Sequence, residues 1–429
     1  MQQAALGPDP APGLSFEGKN VVLVRSLPWL SALLVLSQGA PRSQSFYVAP
    51  APRGTAGGDG SVQRPWDLAT ALAGAGGRIQ PGDTVWLRSG SYRGTFRTRL
   101  RGERDRLIVF RQERGARATI DGTLRADGAY LAFWGFEIMQ SNPLAGTYGL
   151  EARTDHGRFI NLVIHDAGTM GVSFWTPGEN AELYGCIIYN NGTHENLDHG
   201  VYVHNERGTK RILDNVLFNN LAYGIHAYAG RGNRPQRGLL IMGNVAFNNG
   251  TISRRYKAKG NILVGGEVPF ADVDVVSNYM FYSGRDGTNL RLGYAADVVN
   301  KNMNARQNVS RGGRESGNEQ QVIVRQNFYE PGRAHIIAYN AEGHRELTAD
   351  VHQVLKPGDF YELRSVQDLF GKPLARGTYT GGSITLPMSE PVEPPQPIGR
   401  PTARPPATRP AFDVFVLVVP SGTREAPAR

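Results

Sequence analysis

The chain has 429 residues, of which 40% are hydrophobic, 9% aromatic and 20% charged. This excludes a wholly disordered protein and allows several ordinary domains or one elongated domain. One cysteine, Cys186, leaves no intramolecular disulfide and no cysteine-based zinc site. The net charge is +9, and most of it stays in the central body when residues 1–45 and 389–429 are set aside. Such a surface favours polyanions, whether acidic polysaccharide, nucleic acid or anionic membrane, although no block of like charge resembles a nucleic-acid tail.

Residues 1–20 show no apolar periodicity. Arg25 then precedes the apolar run Leu27-Pro-Trp-Leu-Ser-Ala-Leu-Leu-Val-Leu36, followed by Ser37-Gln-Gly-Ala40. A basic flank, a short apolar stretch and a small-residue exit predict an upstream extension and export signal over residues 1–45, cleaved between Ala40 and Ser45. The run is too short to span a bilayer, so the expected location is secreted or periplasmic.

The middle of the chain repeats. Asn161-Leu-Val-Ile-His-Asp166, Gly185-Cys-Ile-Ile-Tyr-Asn190, Asn215-Val-Leu-Phe-Asn-Asn220, Asn244-Val-Ala-Phe-Asn-Asn249 and Asn278-Tyr-Met-Phe-Tyr-Ser283 share one pattern. A second set interleaves with it: Tyr148-Gly-Leu-Glu-Ala-Arg153, Met170-Gly-Val-Ser-Phe-Trp175, His199-Gly-Val-Tyr-Val-His204 and Tyr223-Gly-Ile-His-Ala-Tyr228, continued by Asn261-Ile-Leu-Val264 and Asn289-Leu-Arg-Leu292. Each repeat holds two or more short strands with period-two alternation between Gly/Asn turns. No coil of this kind buries its apolar face alone, so stacking into a parallel β-solenoid is predicted. Asn190, Asn220 and Asn249 are expected to stack at equivalent turns, their amides hydrogen-bonding from coil to coil.

The opening of this region carries a resemblance. Phe46-Tyr-Val-Ala-Pro50, Arg64-Pro-Trp-Asp-Leu68, Gln80-Pro-Gly-Asp-Thr-Val-Trp-Leu-Arg88 and Gly90-Ser-Tyr-Arg-Gly94 are similar to the first coil of secreted bacterial proteins of the pectate-lyase-like superfamily. The resemblance implies an all-β, right-handed parallel β-helix over residues 46–388, with Asp67–Gly77 as a short N-terminal capping helix. It says little of activity, because one solenoid hosts lyases, hydrolases, epimerases and binding proteins. Residues 389–410 have the Pro-rich composition of an extended linker. Residues 411–429 contain one strand pattern, Ala411-Phe-Asp-Val-Phe-Val-Leu-Val-Val-Pro420, expected to fold back on an end of the solenoid.

In the second set the residue after glycine is aliphatic and points inward, so the next points out. The outward column reads Glu151, Ser173, Tyr202, His226, Leu263, Arg291. Two residues on, a neighbouring column reads Arg153, Trp175, His204, Tyr228. With coils about 4.8 Å apart, these columns form one compact patch of rings between arginines. Four of the nine histidines lie between His194 and His226, and Asp198 and Glu195 sit on the adjoining loop. Aromatic faces stack on sugar rings, and arginine and histidine neutralise carboxylates. His199 and His204, five apart on a strand, are expected on opposite sides; with Asp198 they are weighed as transition-metal ligands. A calcium site would need clustered carboxylates, for which Glu151, Asp198 and Glu195 are the only close residues. No cofactor is therefore expected, with calcium kept as an alternative.

Lyases of this fold use either calcium with Arg or Lys, or a metal-free Tyr/His/Arg/Lys set, and the second resembles this sequence. That implies Tyr202 or His226 as acid and base, and Arg153 or Arg291 against a uronate carboxylate. Trp175, His204, Tyr228, Asp198, His199, Glu151, Lys257 and Lys259 are assigned to substrate binding. C5-epimerases share the chemistry but carry Asp-Pro-His-Asp, where this chain has Leu197-Asp-His-Gly200. A hydrolase would need two or three carboxylates about 5–10 Å apart. The expected activity is β-elimination on an acidic polysaccharide by a monomer that binds neither nucleic acid nor membrane. A hydrolase, an epimerase, or a non-catalytic binding solenoid or adhesin are the alternatives.

Overall fold

The computed structural model describes residues 43–194, 197–255, 260–313 and 319–420. The apolar run of the expected export signal lies outside them, as do Glu195, Lys257 and Lys259. A typical coil contributes three short strands, such as Arg158–Ile160, Val163–His165 and Val172–Phe174. The first joins a ten-stranded parallel base sheet, and the other two join a 15-stranded sheet. That larger sheet forks from the long strand Ala118–Ala126, whose Thr119 pairs with Glu137 and whose Leu124 pairs with Leu150. One arm is shielded by the C-terminal region and the other stays open.

Among the described residues helix is almost absent. Leu68–Leu72 forms one five-residue helix, with Asp67 Oδ1 accepting from the Thr70 amide at 2.7 Å. A capping helix over Asp67–Gly77 is not supported, because Gly74 and Gly76 adopt φ of 89° and 67°, outside the helical region. Among the described residues no helix is long and apolar enough to cross a membrane.

Inside the coils, inward side chains stack in rows, as with the rings of Phe110 on Phe133 at 5.6 Å and Phe133 on Phe159 at 5.5 Å. Each such pair contributes about 0.5–1.5 kcal/mol beyond its buried area. The turn from base sheet to shielded arm uses left-handed residues coil after coil: Asn161, Gly185, Asp214, Gly243, Ser277 and Gln307. At Gly243 a Cβ would run into Asp214 Oδ1 and a terminal nitrogen of Arg325, so that ion pair leaves no room for a side chain there.

Two buried asparagine ladders run along the molecule. One links Asn191, Asn220, Asn249, Asn261 and Asn289, each amide donating to the next carbonyl oxygen at 2.8–2.9 Å. The other links Asn215, Asn244, Asn278 and Asn308. Asn190 does not belong to the first ladder, contrary to the expectation. The pairing of Ile187 with Val216 shifts that repeat by one residue, so Asn191 stands over Asn220. Asn190 takes a left-handed turn position like Asn219 and Asn248.

The solenoid is shorter than the predicted span 46–388. Its last parallel pairing joins Tyr279–Tyr282 to Val309–Gly312. Beyond it, Gln321–Gln326, Arg333–Tyr339, Phe412–Val418, Phe360–Ser365 and Ala375–Thr378 form an antiparallel sheet in that spatial order. His335 lies on the second of these strands. Phe412–Val418 is a central strand, and it covers a flank of the solenoid where an end was expected. Its Phe412, Val414 and Val416 pack with Ile337 and Tyr339 on the outward Tyr189, Phe218, Phe247 and Phe281 of the shielded arm. This explains why segments such as Val216–Phe218 are apolar on both faces: inside and outside are both buried.

Residues 389–410 hold no helix or strand and are pinned along the coils. Asn190 Nδ2 donates to the Pro395 carbonyl at 2.8 Å, the Ile398 amide to Asp166 Oδ1 at 2.8 Å and the Ala403 amide to the Ile252 carbonyl at 2.8 Å.

Candidate functional site

The open arm carries the columns read from the repeats. Pairing runs Glu151 to Ser173, Ser173 to Tyr202, Tyr202 to His226, His226 to Leu263 and Leu263 to Arg291. Glycines leave room for this close stacking: a Cβ on Gly200 would meet the Asn220 amide nitrogen at 2.7 Å. The outward rings pack into a continuous cluster. Tyr202 stacks on His226 with centroids 5.2 Å apart at 20°, His226 stacks on Tyr228 at 5.0 Å and 9°, and Trp175 stacks on His204 at 5.5 Å and 18°. Tyr202 meets His204 and Trp175 edge-on at 5.1 and 5.4 Å.

His199 joins this cluster, which corrects the expectation that His199 and His204 face opposite ways. The strand is only Val201–Val203, so His199 lies in the preceding turn, where alternation does not apply. Its ring sits 4.0 Å from that of His226 and 5.5 Å from that of Tyr202. Its Nδ1 accepts from the Tyr223 amide at 3.1 Å, which assigns the proton of the neutral ring to Nε2.

Tyr223 and Tyr294 were missed. Tyr223 stacks on His226 at 4.8 Å and 9°. It was legible in the repeat, since Tyr148, Met170, His199 and Tyr223 all precede the glycine. Tyr294 comes from the last coil, meets Tyr228 edge-on at 4.9 Å and lies under the Arg291 guanidinium at 4.7 Å. No repeat signal marks it.

Burial sets the protonation of the cluster. It pushes the Tyr202 hydroxyl up to about 12 and pulls His204 below the ordinary imidazole range, so both rings are neutral at pH 7. Beneath them Lys210 reaches up from the base sheet through the core. Its Nζ donates to the carbonyls of Phe174, Trp175 and His204 at 3.0, 2.8 and 2.9 Å. Burial pulls this amine down to about 7, whereas three carbonyl acceptors match all three N–H groups of the ammonium. The geometry favours the ammonium form.

Other predicted residues are engaged elsewhere. Asp198 is 3% exposed and accepts from the Thr193 and His194 amides at 2.8 and 2.6 Å, so it holds its loop and does not line the groove. Glu151 pairs with Arg125 at 3.6 Å, and Arg153 Nε donates to Asp127 at 3.1 Å. Arg291 is exposed and leans toward Tyr223 and Tyr294. Glu137 is buried on the shielded arm beside His165 and Arg117. Among the described residues no group of three or more His, Cys, Asp or Glu converges as a metal site. The three-ligand set His199, His204 and Asp198 fails because Asp198 turns into its loop.

Fold and face together define a parallel β-solenoid whose larger sheet has one covered arm and one open, ring-lined arm. No protein-family model matches the chain, and no curated protein matches it. Among solved structures it is similar to pectate lyase Pel9A (19% identity, TM-score 0.46, covering 63% of this chain and 80% of that one). It is also similar to an alginate lyase from Paenibacillus sp. str. FPU-7 (17% identity, TM-score 0.45, 63% and 97%) and to a rhamnogalacturonan lyase (15% identity, TM-score 0.46, 66% and 77%). At this level the likeness carries no argument about activity, and the fold stands on the strand pairing itself.

Proposed function

We propose that the open arm binds an acidic polysaccharide and cleaves it by β-elimination, with Tyr202 and His226 as the acid–base pair. The observation that supports this reading is the in-register stack of Tyr202 on His226 inside the ring cluster. Hydrolysis needs two carboxylates facing the glycosidic bond; among the described residues Glu151 is bound to Arg125, Asp198 is turned away, and Glu267 beside Tyr228 accepts from the Arg231 amide at 3.0 Å. In the proposed step His226 removes the proton on the carbon next to the uronate carboxylate. The electron pair forms the ring double bond, the bond to the leaving glycosidic oxygen breaks, and the neutral Tyr202 hydroxyl protonates that oxygen. In this proposal Arg291, two coils from His226 and adjoining Tyr223, holds the carboxylate. Trp175 and Tyr228 offer ring faces to neighbouring sugars.

Incubation with a panel of uronic-acid polymers tests this, read by the ultraviolet absorbance of the unsaturated product. Tyr202→Phe and His226→Ala should each lower kcat by about 10²–10⁴-fold while leaving polymer retardation on affinity gels intact. Reducing ends without the absorbance would mean hydrolysis, and retention without turnover would mean a binding solenoid; either result rejects elimination.

A further inference from the structure

Beyond the ring cluster, toward the N-terminal coils, the same outward columns change character. Arg97 pairs in register with Arg125, Arg125 with Glu151, Glu151 with Ser173 and Ser173 with Tyr202. At about 4.8 Å per coil, Arg125 and Arg97 stand about 14 and 19 Å from Tyr202 along the solenoid. Arg153 comes in from the neighbouring column, and all three guanidiniums converge on Asp127. Each donates through Nε: Arg97 at 2.7 Å, Arg125 at 3.2 Å and Arg153 at 3.1 Å.

The use of Nε matters. It spends the inner edge of each guanidinium on the scaffold and turns the terminal nitrogens away from Asp127. One terminal nitrogen of Arg125 faces Glu151 at 3.6 Å. Among the described residues, the terminal nitrogens of Arg97 and Arg153 meet no acceptor. The three side chains are 43%, 32% and 29% exposed, and Asp127 is 15% exposed. Three cations share two carboxylates, which leaves one positive charge over. A single arginine would satisfy Asp127; crowding three around it raises their mutual repulsion, which an added anion relieves. The paired terminal N–H groups are the fork that fits a carboxylate or a sulfate.

We propose that Arg97, Arg125 and Arg153, organised by Asp127, form a second anion-binding position of the groove. It takes a carboxylate or sulfate ester of the same polymer, several sugar rings from the one at Tyr202. This rests on the reading of the open arm as an acidic-polysaccharide groove. It reassigns Arg153 from the reaction centre to a distant anchor, and it makes affinity depend on polymer length.

Affinity electrophoresis in gels containing polygalacturonate, alginate, dextran sulfate or neutral dextran tests it, with the R97Q/R125Q double variant beside the native chain. The native chain should be retarded by an acidic polymer in a salt-sensitive way and not by neutral dextran. The double variant should lose about tenfold or more in affinity for that polymer while keeping native affinity for its di- and trisaccharides, which are too short to reach both positions. The carboxylate and sulfate gels identify which oxyanion is held. An R97Q single variant with an unchanged melting curve guards against misfolding and should show a smaller loss of the same kind. Equal polymer affinity in native and variant chains overturns the proposal, as does an equal loss for short and long ligands. If the native chain is retarded by no acidic polymer, the groove reading itself fails; if it is retarded but releases no unsaturated product, only the elimination fails and this position stands.

Discussion

Removing one rung of the buried asparagine ladder tests the physics that aligns the open arm. Asn220 is fully buried, donates through Nδ2 to the Ile188 carbonyl at 3.0 Å and to Asn249 Oδ1 at 2.9 Å, and accepts at Oδ1 from Asn191 Nδ2 at 2.9 Å and the Asn191 amide at 3.2 Å. Asn220→Ala removes all four bonds and leaves the Asn191 donors and the Ile188 carbonyl without those partners, while Asn249 Oδ1 keeps its bond from the residue 220 backbone amide at 3.2 Å. Each buried polar group left unpaired costs about 1–3 kcal/mol, and water entering the gap recovers part of that. A net loss of about 3–5 kcal/mol is expected, near the upper end for a single substitution. Urea unfolding followed by far-ultraviolet circular dichroism measures it, with the exposed Asn304→Ala, whose amide only meets Asp274 at 3.3 Å, as the surface control. The control should stay within about 0.5 kcal/mol of the native chain. Hydrogen exchange should also show the Asn191 amide deprotected in the Asn220 variant. A loss below about 1 kcal/mol, or undiminished protection at Asn191, would refute the claim that the ladder holds the turns in register.

The remaining predictions concern charges inside the fold. His165 lies between Glu137 Oε1 at 2.9 Å and Asp166 Oδ2 at 2.7 Å, with Tyr189 stacked on its ring, Arg117 and Thr119 on Glu137, and the Ile398 amide on Asp166. Burial disfavours its charged form, but the hydrogen bonds to Asp166 and Glu137 outweigh burial and raise its pKa. For Glu137 burial raises, and bonds from His165, Arg117 and Thr119 overcome it, bringing the carboxyl to about 2. The imidazolium's contribution is complete below the ordinary histidine pKa and is lost as pH rises through the raised value; the Glu137 contribution is present above the ordinary carboxylate pKa and is lost as pH falls toward about 2. Urea midpoints against pH should therefore fall on both sides, and His165→Gln should flatten the alkaline limb; identical curves would refute this. Lys210→Met leaves the Trp175 and His204 carbonyls under the groove without the lysine N–H, while the Phe174 carbonyl keeps its bond from the His204 amide at 3.2 Å, and should cost about 1–3 kcal/mol and alter the Trp175 emission, because the Trp175 and His204 backbones lose their common tie. Unchanged stability and fluorescence would show that the lysine does not position that ring pair.

Some of this architecture could be read before any coordinates. The Gly-aliphatic-X-aliphatic repeats place Tyr202 beside His226 and Trp175 beside His204, because a strand has only two faces and the inner one must be apolar. Reading failed where strands ended. His199 was assigned by alternation to the wrong side because it belongs to a turn, and Asp198 was placed at the groove although backbone amides of its own loop claim it. Asn190 was taken for Asn191 because aligning Gly185 with Asn215, not with Asp214, slips the coil by one residue. Tyr294 and Lys210 reach the site from another coil and another sheet, contacts that no local pattern encodes.

Local sequence thus determined the solenoid and the order of side chains along its outer columns, since both follow from short-range alternation and from the volume available in each turn. Which arm would be covered was settled only by tertiary structure. Val216–Phe218 and its neighbours are apolar inside and out, but that doubled burial requires residues 321–418 to cross over, and the partner strand Phe412–Val418 lies nearly two hundred residues downstream. The open arm is open because that antiparallel sheet has apolar surface to bury against rows of Tyr189, Phe218 and Phe247, and none against the polar rings around Tyr202.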